Sequence, residues 1–177
     1  MDAGVIPQII ILVILLMLSA FFSSAETSLT TVNKIRIRTL AEDGDKRAKR
    51  VLDITSNSGK MLSAILIGNN IVNLSASSIA TSLAIKLWGS VAAGIATGIL
   101  TILILIFGEI SPKTLATIYS EKISLLYSAP ISFLIKVLTP VIFIINKLSL
   151  GFLMLLRVDP NAGNQKMTEE ELRTIVD

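Results

Sequence analysis

Neither cysteine nor histidine occurs anywhere in the 177 residues. Without thiols there is no disulfide framework and no redox hint of compartment. With both residue types missing, Zn2+, copper and iron–sulfur centres lose their usual ligands, and any bound metal must be held by oxygen, as Mg2+ or Ca2+ would be. Charge is scarce too, at 16% of residues against 52% hydrophobic, with a mean hydropathy of +0.74. Such a profile excludes an ordinary soluble domain and indicates an integral membrane protein. An intramembrane enzyme is disfavoured as well. No His, Cys or Ser/Lys arrangement on one helix face supplies a nucleophile and base, so the chain is read as not an enzyme and no catalytic residue is assigned.

The long uncharged runs are what the sequence does have. Residues 4 to 25 carry no charge, about the 20 residues that a helix needs to cross the hydrocarbon core, and set a first span at about 4–27. A cleaved signal peptide is the rival, but Asp2 stands where a basic leader would be and the run is long for a leader. Residues 30–57 then form a polar insert. Lys34, Arg36, Arg38, Lys46, Arg47, Lys49 and Arg50, with Lys60 just beyond, make up half of the sixteen basic residues. The positive-inside rule places this loop in the cytoplasm and the N-terminus outside. Gly44 separates two short helices suited to lying along the inner headgroups, so membrane lipids are expected partners. Nucleic acid is not, because the basic run sits on a short loop between spans.

A second span covers about 61–86, with Asn57 or Ser58 as its N-cap. Trp88 and Gly89 mark an outer turn, and a third span runs inward over about 89–108. Its Gly94 and Gly98 form a Gly-x-x-x-Gly face for close packing, within the bundle or across a dimer. The apolar stretch 123–157 is interrupted by Pro130, Lys136, Pro140 and Lys147. It reads as kinked amphipathic helices in the inner leaflet or around the bundle, with a fourth span as the alternative. Three spans leave the C-terminus inside; four put it outside. Residues 158–177 read as a linker and the start of a cytosolic helix whose Thr168 and Glu171 fit a capping box, leading to a missing soluble region.

Polar residues concentrate at one depth. Pro112 has no N–H, so a helix through it loses the bond that the Gly108 carbonyl would accept, and Glu109 stands beside that free carbonyl. The expected result is a helix break carrying an ionisable group at the membrane edge. Ser19 and Ser23 share a face of the first span. Asn69, Asn70 and Asn73 crowd the second, and amide oxygens ligate cations without adding charge. Together these residues supply about six oxygens and one carboxylate, enough for a hard cation. Na+ and Mg2+ both suit such oxygens. Glu26 is either a second ion-linked acid or an interfacial carboxylate. The bland alternative is a membrane scaffold or sensor module in which every polar residue is helix–helix glue.

Leu18-Ser19 with Phe22-Ser23, then Ala25-Glu26-Thr27-Ser28-Leu29, then Gly68-Asn69-Asn70-Ile71-Val72-Asn73, then Phe107-Gly108-Glu109-Ile110-Ser111-Pro112-Lys113 resemble the transmembrane domain of the CNNM/CorC family of Mg2+ transporters. The resemblance covers about residues 5 to 177, with its motifs in the family's order. It implies an all-α membrane domain of three transmembrane helices with cytoplasmic-side juxtamembrane belt helices, a homodimer in the plasma membrane, and Mg2+ efflux coupled to Na+ entry. It implies further that family members continue into a pair of cytosolic CBS domains, through which alone ATP would bind. Carried over position by position, it puts the ion site at Ser19, Ser23, Asn69 or Asn70, Asn73, Gly108 and Glu109, with Pro112 in support.

Overall fold

The computed structural model describes residues 4–156, and all of its regular elements are helical. The proposed linker and capping box of 158–177 lie outside the described residues. Two compact units divide the chain, residues 1–137 and 138–177. The first holds helix α1 (Val5–Thr31), α2 (Lys34–Glu42), α3 (Lys46–Ser56), α4 (Ser58–Leu103), a π-helical segment (Ile104–Ile110) and α5 (Ser111–Ile118); α6 (Ser120–Leu155) begins there and carries on into the second.

Helix α4 is two arms rather than one rod. Gly89 has φ +79° and ψ 175°, a conformation that L side chains rarely adopt. The arms fold back on each other about it, bringing Thr81 Oγ1 within 3.4 Å of Thr97 Oγ1. The first arm runs antiparallel to α1. Ser19 of α1 meets Asn73, the Phe22 ring packs so closely on Gly68 that a Cβ there would fall 2.6 Å from it, and Lys86 reaches back to Gly4 near the start of α1. The second arm, the π segment and α5 return parallel to α1, with Gly108 at Ser19 and Lys113 at Glu26.

The basic insert folds as two capped helices. Asn33 accepts hydrogen bonds from the Ile35 and Arg36 amides. Asp45 accepts from Arg47 N at 2.7 Å; that bond, then the one from the Arg47 guanidinium, holds the Asp45 carboxyl below its ordinary range. Gly44 turns the chain between them with φ +98°. Their apolar faces, Ile37 and Ala41 on α2 and Ala48, Val51 and Ile54 on α3, join Leu29, Met61, Ile65 and Ile131 in one buried cluster. Asn57 caps α4 by accepting from Lys60 N.

Two sequence expectations are corrected. Residues 123–156 are not kinked pieces: α6 is a single 36-residue helix that passes through Pro130 and Pro140. Each proline deletes one N–H and so leaves one carbonyl, that of Leu126 or Lys136, without its helical donor, yet the helix runs on through both, since apolar surroundings strongly reward the hydrogen bonds that remain. Nor does the helix break at 108–112. The chain widens into π turns, continues as α5 behind Pro112, and leaves the helix only near Tyr119.

Four helices are long and apolar enough to cross a membrane, Val5–Thr31, Ser58–Ser90, Ala93–Ile118 and Ser120–Leu153, where the sequence reading counted three. The fourth has distinctive neighbours in the first unit. Glu121 pairs with Arg36 of α2, Tyr127 stacks at 4.6 Å on Phe21 of α1, and Ile131 joins the cluster beneath α2 and α3. In the second unit, Phe143, Leu148, Phe152 and Leu155 are exposed, and Lys147 lies 5.3 Å from the Phe143 ring centroid.

Candidate cation site

Most hydroxyls on α1 are used within the helix itself. Ser24, Ser28, Thr30 and Thr31 each donate to a carbonyl of the preceding turn, as hydroxyls in membrane helices commonly do. Ser19 instead donates across the helix contact, to Asn73 Oδ1 at 2.7 Å, with the Gly108 carbonyl oxygen at 3.4 Å. One residue from each of two other helical segments thus converges on a buried serine, which is 1% exposed.

The next turn repeats the pattern without closing it. Ser23 follows Ser19 by one turn on α1, and Asn69 precedes Asn73 by one turn on the antiparallel arm of α4, so the two form the adjoining rung. Ser23 Oγ and Asn69 Oδ1 are both buried, and neither has a hydrogen-bond partner among the described residues. Buried polar atoms left unpaired cost about 1–3 kcal/mol each, and they are rare enough to require an explanation. Both are oxygens, and each lies one turn from the Ser19–Asn73 hydrogen bond.

Gly108 is fixed by this approach. A Cβ at 108 would stand 3.0 Å from Ser19 Oγ and 3.2 Å from Leu16 Cδ1, so a larger residue would have to push those side chains back by a few tenths of an ångström. The π segment contributes separately. An i→i+5 turn inserts a residue relative to the α-helix and re-aims everything after it. Asn73 and Glu109 consequently line one cavity of about 210 Å3 together with Ser77, Thr97 and Thr101.

Two carboxylates share one ammonium. Lys113 Nζ lies 3.4 Å from Glu109 Oε1 and 3.4 Å from Glu26 Oε2, which ties the acid on α1 to the acid beside Gly108. Among the described residues no three His, Cys, Asp or Glu side chains gather as a metal cluster. The donor set is therefore neutral oxygen with one carboxylate at its edge.

Residues 10–177 match the family model of the cyclin M transmembrane N-terminal domain. The chain belongs to that family. Among its relatives, it is 41% identical over 167 residues to a UPF0053 protein of Haemophilus influenzae, covering 94% of this chain and 40% of that protein. It is 36% identical over 164 residues to the UPF0053 inner membrane protein YfjD of Escherichia coli, covering 90% and 37%. A polyamine export protein of H. influenzae is 28% identical over 182 residues, covering 96% and 42%. The chain thus spans about two fifths of the length of the curated relatives it matches. These likenesses make it a multi-pass membrane protein.

Of the residues singled out in the sequence of this cyclin M domain, Ser19, Asn73 and Gly108 meet directly, Ser23 and Asn69 occupy the adjoining rung, and Glu109 lines the neighbouring cavity. Asn70 is exposed. Gly94 and Gly98 are exposed as well, and a Cβ on either would meet nothing within 4 Å, so they pack against no other part of the described chain. Sequence reasoning missed Ser77, Thr97, Thr101 and Lys113. The first three carried a legible signal, since Asn73 and Ser77, like Thr97 and Thr101, are four apart and share a helix face. Lys113 stood in the sequence only as the last residue of the Phe107–Lys113 motif.

Proposed function

We propose that this chain is the membrane domain of a Mg2+ efflux transporter coupled to Na+ entry, with the ion held by Ser19, Ser23, Asn69, Asn73, the Gly108 carbonyl and Glu109. The observation that carries the reading is the unclosed rung. Ser23 Oγ and Asn69 Oδ1 are buried without partners, beside an oxygen set already brought together by Ser19. Mg2+ takes oxygen ligands in near-octahedral geometry and usually keeps several waters, so the carboxylate and some of these neutral oxygens suffice to hold it with water completing its shell. Na+ accepts the same oxygens, so one cage can serve an exchange of the two ions. Mg2+ efflux from proteoliposomes, followed with and without an opposing Na+ gradient, tests the proposal. Flux that ignores the gradient removes the coupling, and no flux removes the transporter.

A second cargo class has its own support. Two carboxylates on different helices hold one ammonium, and a relative bears the name polyamine export protein. An organic polycation would displace Lys113 from Glu26 and Glu109, and spermidine supplied in place of Mg2+ in the same assay distinguishes the two.

The proposed topology has three spans, with the N-terminus outside and the C-terminus cytoplasmic, and α6 lying as a belt at the inner face. Its support is that Glu121, Tyr127 and Ile131 pack on α1 and the basic insert. A tag placed after Asp177 is expected to be inaccessible from outside intact cells; labelling from outside would make α6 a fourth span. Gly94 and Gly98, open in this chain, then face lipid or a second copy in the proposed homodimer. ATP would act only through the cytosolic CBS region that the resemblance implies.

A further inference from the structure

Away from the cation cage, the end of α3, the start of α4 and the middle of α6 enclose a second cavity of about 270 Å3. Lys60 and Lys136 reach it from α4 and α6, Ser132 adds a hydroxyl, and Asp53 lines it from α3. Buried Ile54 and Met61 give it apolar wall. Neither ammonium is ion-paired among the described residues.

Lys136 is the anomaly. It is the only charged residue between Lys122 and Lys147, and Phe133 and Val137 beside it are 70% and 54% exposed. A lone charge on an apolar helix is costly in a membrane unless it finds a partner. We infer that this cavity binds the phosphodiester headgroup of a phospholipid. Two lysines and one aspartate leave a net charge of plus one, which matches the single negative charge of a phosphodiester. The apolar surface around the lysine pair, Phe133 and Val137 on α6 with Leu62 on α4, accepts acyl chains. A lipid can use both parts; a free phosphate gains nothing from the second.

The test titrates the full chain in detergent with dioleoyl phosphatidylglycerol and reads bound lipid by native mass spectrometry. Lys60→Gln with Lys136→Gln is compared with Lys46→Gln plus Lys49→Gln, which removes equal charge from the exposed side of α3. Both pairs leave the buried cluster intact. About a fivefold loss per membrane-facing lysine predicts about a 30-fold weaker affinity in the first pair and less than twofold in the second. An equal loss in both pairs, or none in the first, would overturn the site as generic surface charge. Displacement of the lipid by inorganic phosphate at equal concentration would overturn the lipid as its ligand.

Discussion

Glu109→Gln is expected to abolish Mg2+ flux while leaving a folded protein. The substitution keeps the shape of the side chain and removes the one carboxylate at the edge of the oxygen cradle. At an effective dielectric of about 20, one negative charge about 4 Å from a divalent ion is worth about 8 kcal/mol before desolvation. If only a third of that survives, Mg2+ binding weakens about a hundredfold. One side effect needs separating: Lys113 would keep only Glu26 as a partner, and its charge then bears on the site. Adding Lys113→Gln removes that charge. Flux that returns in the double variant would assign the defect to the stray ammonium and not to a lost ligand. Wild-type efflux from proteoliposomes carrying Glu109→Gln alone would sink the site altogether.

The second large effect has opposite signs for stability and function. Ser23→Ala removes a buried hydroxyl that has no partner, so the ion-free protein is expected to be as stable as the parent or more so, by about 1 kcal/mol. Mg2+ binding is expected to fall, and with it the thermal protection that the ion confers on the parent chain. A scaffold whose polar groups are glue predicts the reverse, a loss of about 0.5–2 kcal/mol with no change in any ion response. Ser24→Ala is the control one position away. Its hydroxyl donates to the Ala20 and Phe21 carbonyls, so it bears on helix α1 alone and flux is expected to persist. Melting curves in detergent with and without Mg2+ separate the readings, and a Ser23→Ala protein that melts lower yet still gains full protection from Mg2+ contradicts the cation cage.

Much of this arrangement was legible in the residues because membranes simplify the code. Uncharged runs located α1 and both arms of α4, the basic insert was set apart by its lysines and arginines, and Asn57, Gly44 and Gly89 punctuated the chain where glycine and asparagine chemistry requires. The polar face of each span was visible one helix at a time. What the sequence could not supply was how those faces are matched. That Ser19 rather than Ser23 would pair with Asn73 depends on how far α4 slides along α1, and Phe22 lying on Gly68 sets that slide. Asn70 and Asn69 are indistinguishable by type and are separated only by helical rotation. The π segment was hidden for a different reason: a proline announces that a hydrogen bond will be lost, but not whether the chain will bend, stop or widen to absorb the loss. For α6, the same apolar composition fits a crossing helix and a belt, and its contacts with Phe21 and Arg36 were not legible in the residues.

The widened turn at Ile104–Ile110 has a mechanical consequence. Each residue of an α-helix advances the winding by 100°, so tightening that segment to ordinary α pitch would rotate the remainder of the helix by about that angle against α1. Glu109 would swing off the cavity it shares with Asn73, and Lys113 would leave Glu26. The Gly108 carbonyl and Glu109 thus meet the oxygens of α1 and the first arm of α4 at only one winding number of this helix, and a single residue's worth of twist would part them.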